Sequence, residues 1–214
     1  MAMDRVKVIG LQRSGTNYVD GLIKRNFEPV VFVSHQVLWK HEFVENLGSD
    51  FPPESIVVLV HKSPYSWMES LQRSAKDLWK YPDLAGPGPQ IKIRRGHYEG
   101  MQLTVSVERL CDLYSRYHLG WLRSSLRTVP VALESVIADV HGVVGRLEEA
   151  GLRRIEQSEL ELDFEVNQAR PLSASDRARL ADPTSFDLDS ETLATIDQFV
   201  DPAVWDALDH PRLG

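Results

Sequence analysis

The chain has 214 residues, with 24 Lys plus Arg against 31 Asp plus Glu and a formal charge of −7. That length fits a single domain, and a composition 43% hydrophobic and 26% charged excludes disordered, collagen-like and membrane classes. One cysteine, Cys111, excludes an internal disulfide framework and a multi-cysteine zinc site. No run of about 18 apolar residues is present to span a membrane. Asp4, Arg5, Lys7 and Arg13 interrupt the N-terminal stretch, which argues against a signal peptide and for a reducing cytoplasm.

The charge is unevenly placed. Residues 1–127 carry 17 Lys plus Arg and 13 Asp plus Glu, whereas residues 128–214 carry 7 and 18. No lysine follows Lys92. The net charge disfavours nucleic acid as a partner, and an anionic ligand is expected on the N-terminal half.

In chain order, Val6 to Gly10 reads as a short buried strand and Thr16 to Asn26 as a helix. Val30 to Val33 and Ile56 to Val60 read as further strands. Pro64 suits the first turn of a helix, expected to run to about Trp79. Residues 81–100 hold several prolines and glycines and read as a long loop. Leu103, Val107, Leu110, Tyr114, Tyr117 and Trp121 recur at helical steps and predict a helix over 103–126. A strand over 129–133 and a helix over 136–150 follow. Leu160, Leu162, Phe164 and Val166 alternate with acids, as in a strand, and short helices are expected around 174–181, 190–200 and 203–209. This order predicts an α/β fold: a parallel β-sheet flanked by helices. The chain reads as one domain, 1–214, with a ligand-binding core over about 5–150 and an acidic extension over about 151–214. In such sheets ligands bind beyond the carboxyl ends of the strands.

The turn after the first strand reads Gly10-Leu11-Gln12-Arg13-Ser14-Gly15-Thr16-Asn17. Its glycine spacing is that of a P-loop, whose inward N–H groups and helix N-terminus attract phosphate. A nucleoside triphosphatase has Lys and then Ser or Thr after the second glycine. Here Thr16 and Asn17 stand there, and the cation is Arg13. The strand 56–60 also runs into His61-Lys62, without a strand-end acid to hold magnesium. A nucleotide kinase or triphosphatase therefore lacks two of its parts, and no metal ligands are assigned.

These residues resemble the sulfotransferases that use 3′-phosphoadenosine 5′-phosphosulfate (PAPS). The family's 5′-phosphosulfate loop, a basic residue followed by Ser-Gly-Thr, a polar and an aromatic residue, matches Arg13-Ser14-Gly15-Thr16-Asn17-Tyr18. Its 3′-phosphate motif, a basic strand end with proline two and serine eight residues later, matches Lys62, Pro64 and Ser70. The resemblance covers roughly residues 5–75, with a weaker echo over 113–126 and in Leu133-Glu134-Ser135.

The resemblance implies a P-loop-like sulfotransferase fold. It further implies metal-independent transfer of a sulfuryl group from PAPS to a hydroxyl or amine of a small-molecule or carbohydrate acceptor, releasing adenosine 3′,5′-bisphosphate (PAP). It assigns Arg13 to the bridging oxygen and 5′-phosphate, and the amides of Ser14, Gly15, Thr16 and Asn17 with the Thr16 hydroxyl to the phosphate cradle. Tyr18 takes the adenine-stacking position, and Lys62 and Ser70 take the 3′-phosphate. His41 in Trp39-Lys40-His41 stands at the place of the catalytic base, with His35 as the rival and Lys40 as an added charge.

Departures from the family pattern are Leu133 where an aromatic is usual, Ser66 where an acid-bearing turn is usual, and no late Arg-Lys-Gly segment. Arg94-Arg95-Gly96 is a candidate substitute for that segment. Trp39, Trp67, Trp79, Tyr81 and Tyr98 are candidates for an acceptor pocket and equally for the core. A non-catalytic binder of a phosphorylated ligand remains the other alternative.

Overall fold

The computed structural model describes residues 5–28, 30–73, 78, 81, 84–94, 102–156, 159–162, 178 and 186–213. Four strands form a parallel sheet: β1 (Arg5–Ile9), β2 (Val31–Phe32), β3 (Ile56–His61) and β6 (Arg127–Ala132). Their spatial order is β2-β1-β3-β6. Every residue of β3 is buried, as its unbroken apolar run requires for a central strand covered on both faces. Val6 to Ile9 pair with Ile56 to Leu59, and Ile56 to His61 pair with Arg127 to Ala132.

Helices cover both faces. Val19, Leu22 and Ile23 of α1 (Thr16–Asn26) join Val6, Val8, Val58 and Val60 in one apolar cluster. Ile9, Val57 and Leu59 face the other way, into a larger cluster with α2 (Pro64–Arg73) and α3 (Val107–Leu122). The chain leaves β1 for β2 on one side and returns to β3 on the other, so the connections diverge above the β1–β3 pair. That divergence opens a crevice at the carboxyl end of β1. An α/β architecture with helices on both faces of a parallel sheet is therefore present.

Several elements differ from expectation. Residues 81–100 are not all loop: β4 (Gln90–Arg94) pairs antiparallel with β5 (Gln102–Ser106). Ile91 and Ile93 are buried while Gln90, Lys92 and Arg94 are exposed, a period-two pattern masked by the surrounding proline and glycine. The helix expected from Leu103 starts only at Val107, because Ser106 caps it by accepting from the Arg109 amide. The helix expected over 136–150 is two, α4 (Leu133–Ala138) and α5 (Val140–Glu149), divided at Asp139. Its carboxylate accepts from the Gly142 amide at 2.9 Å, so a side-chain cap overrides the continuous apolar pattern.

The strand expected over 160–166 is absent at 160–162, where Asn26 instead exchanges two hydrogen bonds with the Glu161 backbone at 3.0 and 2.7 Å. Residues 163–166, and the helix around 174–181 apart from Ala178, lie outside the described residues. The last two helices are α6 (Ser190–Phe199) and α7 (Pro202–Leu208), packed against α3. Among the described residues no helix is long and apolar enough to cross a membrane.

Candidate anion cradle and its histidine

The glycine-bearing turn lies at the carboxyl end of β1, in the crevice. Two backbone positions there are left-handed, Arg13 at φ 71° and Gly15 at φ 97°. Gly15 suits that region without a side-chain penalty; Arg13 does not, and such strain collects at ligand sites. Gly10 is required sterically, because a Cβ there would strike the Val60 carbonyl oxygen and the Ser14 hydroxyl. A Cβ on Gly15 would lie 2.8 Å from two methyl carbons of Leu133.

The Ser14 amide closes the turn onto the Leu11 carbonyl at 3.1 Å, so it is engaged within the protein rather than in a cradle. The amides of Gly15, Thr16 and Asn17 open the helix instead. Its N-cap is Gly15, which has no side chain to cap it, and its first turn holds no acid. Ser14 Oγ is buried and has no hydrogen-bond partner among the described residues. Thr16 is buried, Asn17 and Tyr18 are half-buried, and Tyr18 packs against the apolar cluster on the α1 face. Arg13 is exposed at the rim of the turn, and among the described residues no carboxylate pairs with it. Partial desolvation, and then the charge of Arg73, lower its pKa.

The segment leaving β2 docks directly on this turn. The Gly10 amide donates to the Lys40 carbonyl at 3.0 Å, and the ring of His41 returns the contact, with Nδ1 2.5 Å from the Gly10 carbonyl oxygen. Lys40 Nζ donates to Asn17 Oδ1 at 2.5 Å. His41 is buried, edge-on to Trp39 with ring centroids 5.0 Å apart, and its carbonyl accepts from the Tyr81 hydroxyl at 3.0 Å. The approach is anchored further back by Lys7, a buried β1 residue whose Nζ donates to the carbonyls of Val33 and Ser34 at 3.1 and 3.3 Å. Burial first, then Lys40, lowers the Lys7 pKa to about 8 against an opposing pull from Asp20. His35 is exposed on the turn after β2. Burial of its ring and the charges of Lys7 and Lys40 lower its pKa.

The second motif lies at the end of β3. Lys62 and Ser70 are both buried. The Lys62 carbonyl accepts from the Tyr114 hydroxyl at 2.5 Å, and the next amide, Ser63, donates to Glu134 Oε1 at 3.1 Å. Burial raises the Glu134 pKa; its bonds to backbone amides, including that of Ser63, and the Lys62 charge pull it back down. Ser70 Oγ donates to the Trp67 carbonyl at 2.7 Å, so a phosphate must compete for that proton. Helix α2 is tied to the cradle by Trp67, whose Nε1 donates to the Gln12 carbonyl at 2.8 Å.

A cavity of about 260 Å³ adjoins this junction, lined in part by Ser63, Ser66, Glu134, Arg146, Phe186 and His210. In its wall His61 Nδ1 and His210 Nε2 are 2.8 Å apart, and His118 packs edge-on to His61. Burial lowers all three pKa values, His210 to about 4 and His118 to about 3.

The fold thus brings Arg13, Ser14, Gly15, Thr16, Asn17, Lys40 and His41 together at one turn. Lys62 and Ser70 stand on the neighbouring junction. Trp67 and Tyr81 are core residues, not pocket walls. Arg94 ends β4 exposed, and Arg95, Gly96, Trp79 and Tyr98 lie outside the described residues. Sequence reasoning missed Glu134 as the acceptor of the Ser63 amide and Trp67 as the tie to Gln12. No protein-family model, curated protein or solved structure matches this chain.

Proposed function

We propose that the chain is a PAPS-dependent sulfotransferase on a P-loop-like fold, acting on a hydroxyl or amine acceptor. The observation that carries the proposal is the meeting of two features at Gly10. On one side stands a helix N-terminus whose N-cap, Gly15, has no side chain, with the buried Ser14 Oγ, unpartnered among the described residues, and with Arg13 at its rim. On the other stands His41, hydrogen-bonded to the carbonyl of the same glycine. An anion-binding turn is the chemistry a phosphosulfate needs, and Ser14 Oγ is a donor that a bound anion would satisfy.

The roles follow from the chemistry of transfer. The acceptor oxygen or nitrogen forms a bond to sulfur as the bond from sulfur to the 5′-phosphate oxygen breaks. The acceptor proton passes to His41 Nε2, and adenosine 3′,5′-bisphosphate leaves with the bond's electron pair. Arg13 and the amides of Gly15 to Asn17 stabilise the charge that grows on the leaving oxygen. Lys40, already bonded to Asn17, adds positive charge on the same side. Lys62 takes the 3′-phosphate as a point charge, and Ser70 joins it by exchanging its bond to Trp67.

The test is a transfer assay with labelled PAPS in the presence of a chelator, run over a panel of sugar, phenol and amine acceptors. Release of adenosine 3′,5′-bisphosphate coupled to a labelled acceptor is the expected result. Failure of the protein to bind PAPS or its product in calorimetry would overturn the proposal.

A further inference from the structure

The cavity of about 260 Å³ at the carboxyl ends of β3 and β6 is lined by two opposite charges, Glu134 and Arg146, that do not pair with each other. Glu134 stands in the first turn of α4. Its Oε1 accepts from the Ser63 amide at 3.1 Å, which fixes the carboxylate against the start of α2. Its Oε2 is buried and has no hydrogen-bond partner among the described residues. The Ser66 hydroxyl, on the same cavity wall, eases the charge of the carboxyl without coming within hydrogen-bond reach of that oxygen.

Arg146 stands in the last turn of α5. A cation there is mildly favourable to the helix, a role that uses its charge but none of its five N–H donors. Among the described residues no carboxylate pairs with Arg146, Glu134 included. The histidines in the wall need no ligand, because His61 Nδ1 and His210 Nε2 hold each other at 2.8 Å. Pro130, Phe186 and Leu208 add an apolar lining.

A buried carboxylate oxygen without a donor is costly, and a bound molecule that donates to it recovers the loss. Burial also pushes the Glu134 pKa up, and a cation is the partner that keeps such a carboxylate charged. Arg146 calls for the opposite, an anionic group that fits its planar fork. A volume of about 260 Å³ lies below the range of drug-sized sites, about 300–1,000 Å³, and suits a small metabolite.

We propose that this cavity binds an amino acid-like zwitterion, whose ammonium donates to Glu134 Oε2 and whose carboxylate accepts from the Arg146 guanidinium, with its hydrocarbon part against Phe186. The site is separate from the turn at Gly10 and does not rest on the sulfotransferase reading.

Ligand-observed NMR titrations at low salt test this. The probes are 4-aminobutyrate, 6-aminohexanoate and L-leucine, which differ in the separation of their charges, beside hexylamine and hexanoate, which carry one charge each. At least one zwitterion is expected to bind about ten- to hundredfold more tightly than either single-charge compound, the worth of a charged hydrogen bond. Glu134→Gln and Arg146→Met should each erase that advantage. Glu134→Gln keeps an oxygen for the Ser63 amide, and Arg146 is exposed, so Arg146→Met tests the site even where Glu134→Gln lowers stability. Arg153→Met, a charge control whose arginine pairs with Glu28, should retain the advantage.

No binding of any of the three zwitterions, or an advantage that survives in either folded variant, would overturn the inference. Competitive displacement by adenosine 3′,5′-bisphosphate would do so too, because the cavity would then belong to the donor site. Zwitterion binding that depends on Glu134 and Arg146, without any bisphosphate binding, would leave the inference standing and remove the sulfotransferase reading.

Discussion

The ring of His41 is held by Gly10: Nδ1 lies 2.5 Å from the glycine's carbonyl oxygen. A carbonyl oxygen only accepts, so Nδ1 carries the proton and Nε2 is the basic nitrogen of the neutral ring. The Gly10 amide donates to the Lys40 carbonyl in return, so one glycine fixes both the docking of this segment and the tautomer of the His41 ring. His41→Ala should therefore lower kcat by about 10²–10⁴-fold while donor binding survives. Single-turnover assays alongside calorimetry check this; unchanged kcat would remove His41 from the chemistry.

Arg13 should act mainly in the transition state, because the leaving oxygen gains its charge there. Arg13→Ala is expected to raise the barrier by about 3–4 kcal/mol, read as kcat/KM with saturating acceptor. Arg13→Lys should recover little, since lysine is a point charge without the planar fork of donors. Near-normal turnover in the alanine variant would contradict the assignment.

Lys62 is expected to discriminate rather than accelerate. Its backbone is fixed by Tyr114 and its neighbour by Glu134, so Lys62→Ala should leave the junction in place. The preference for adenosine 3′,5′-bisphosphate over adenosine 5′-monophosphate should then shrink by about ten- to hundredfold, as a lost charged hydrogen bond costs. Competition binding with the two nucleotides measures it. An undiminished preference would move the 3′-phosphate elsewhere.

The sheet was legible because β1 and β3 are apolar, β-branched runs whose flanking motifs mark their carboxyl ends. The hairpin β4–β5 was not, since Ile91 and Ile93 alternate over too few residues to stand out from prolines and glycines. Leu103 fits a helical step to Val107 by coincidence, whereas Ser106 as a cap settles where α3 begins. At the site, spacing alone named the residues that the fold brings to the Gly10 turn and to the end of β3. Trp67 and Glu134 act through long-range hydrogen bonds to Gln12 and Ser63, which no local pattern encodes.

Gly15 offers a test of the turn that needs no substrate. Its φ of 97° is unfavourable for any residue with a Cβ, and the added atom would also press on Leu133. Gly15→Ala should destabilise the protein by about 1–3 kcal/mol in urea denaturation. Adding Leu133→Ala to that variant should relieve the steric part but not the backbone part. Stability equal to wild type would mean that the turn relaxes out of the left-handed region.

The three histidines clustered at the end of β3, His61, His118 and His210, predict how stability responds to acid. An unfolded histidine titrates near 6.5, whereas burial lowers His210 to about 4 and His118 to about 3 and drives His61 lower than its ordinary value as well. Between those values the unfolded chain binds more protons than the folded one, so stability rises with pH across that window. Conversely, stability falls as the pH drops below about 6.5, by up to about 1.4 kcal/mol per pH unit for each such histidine. His118→Gln removes one of these groups while its amide can still donate to the Tyr114 carbonyl that His118 Nδ1 meets at 2.7 Å. Urea midpoints between pH 4.5 and 7.5 should therefore depend less steeply on pH in that variant. An equal slope in both proteins would mean that His118 is already protonated in the folded state.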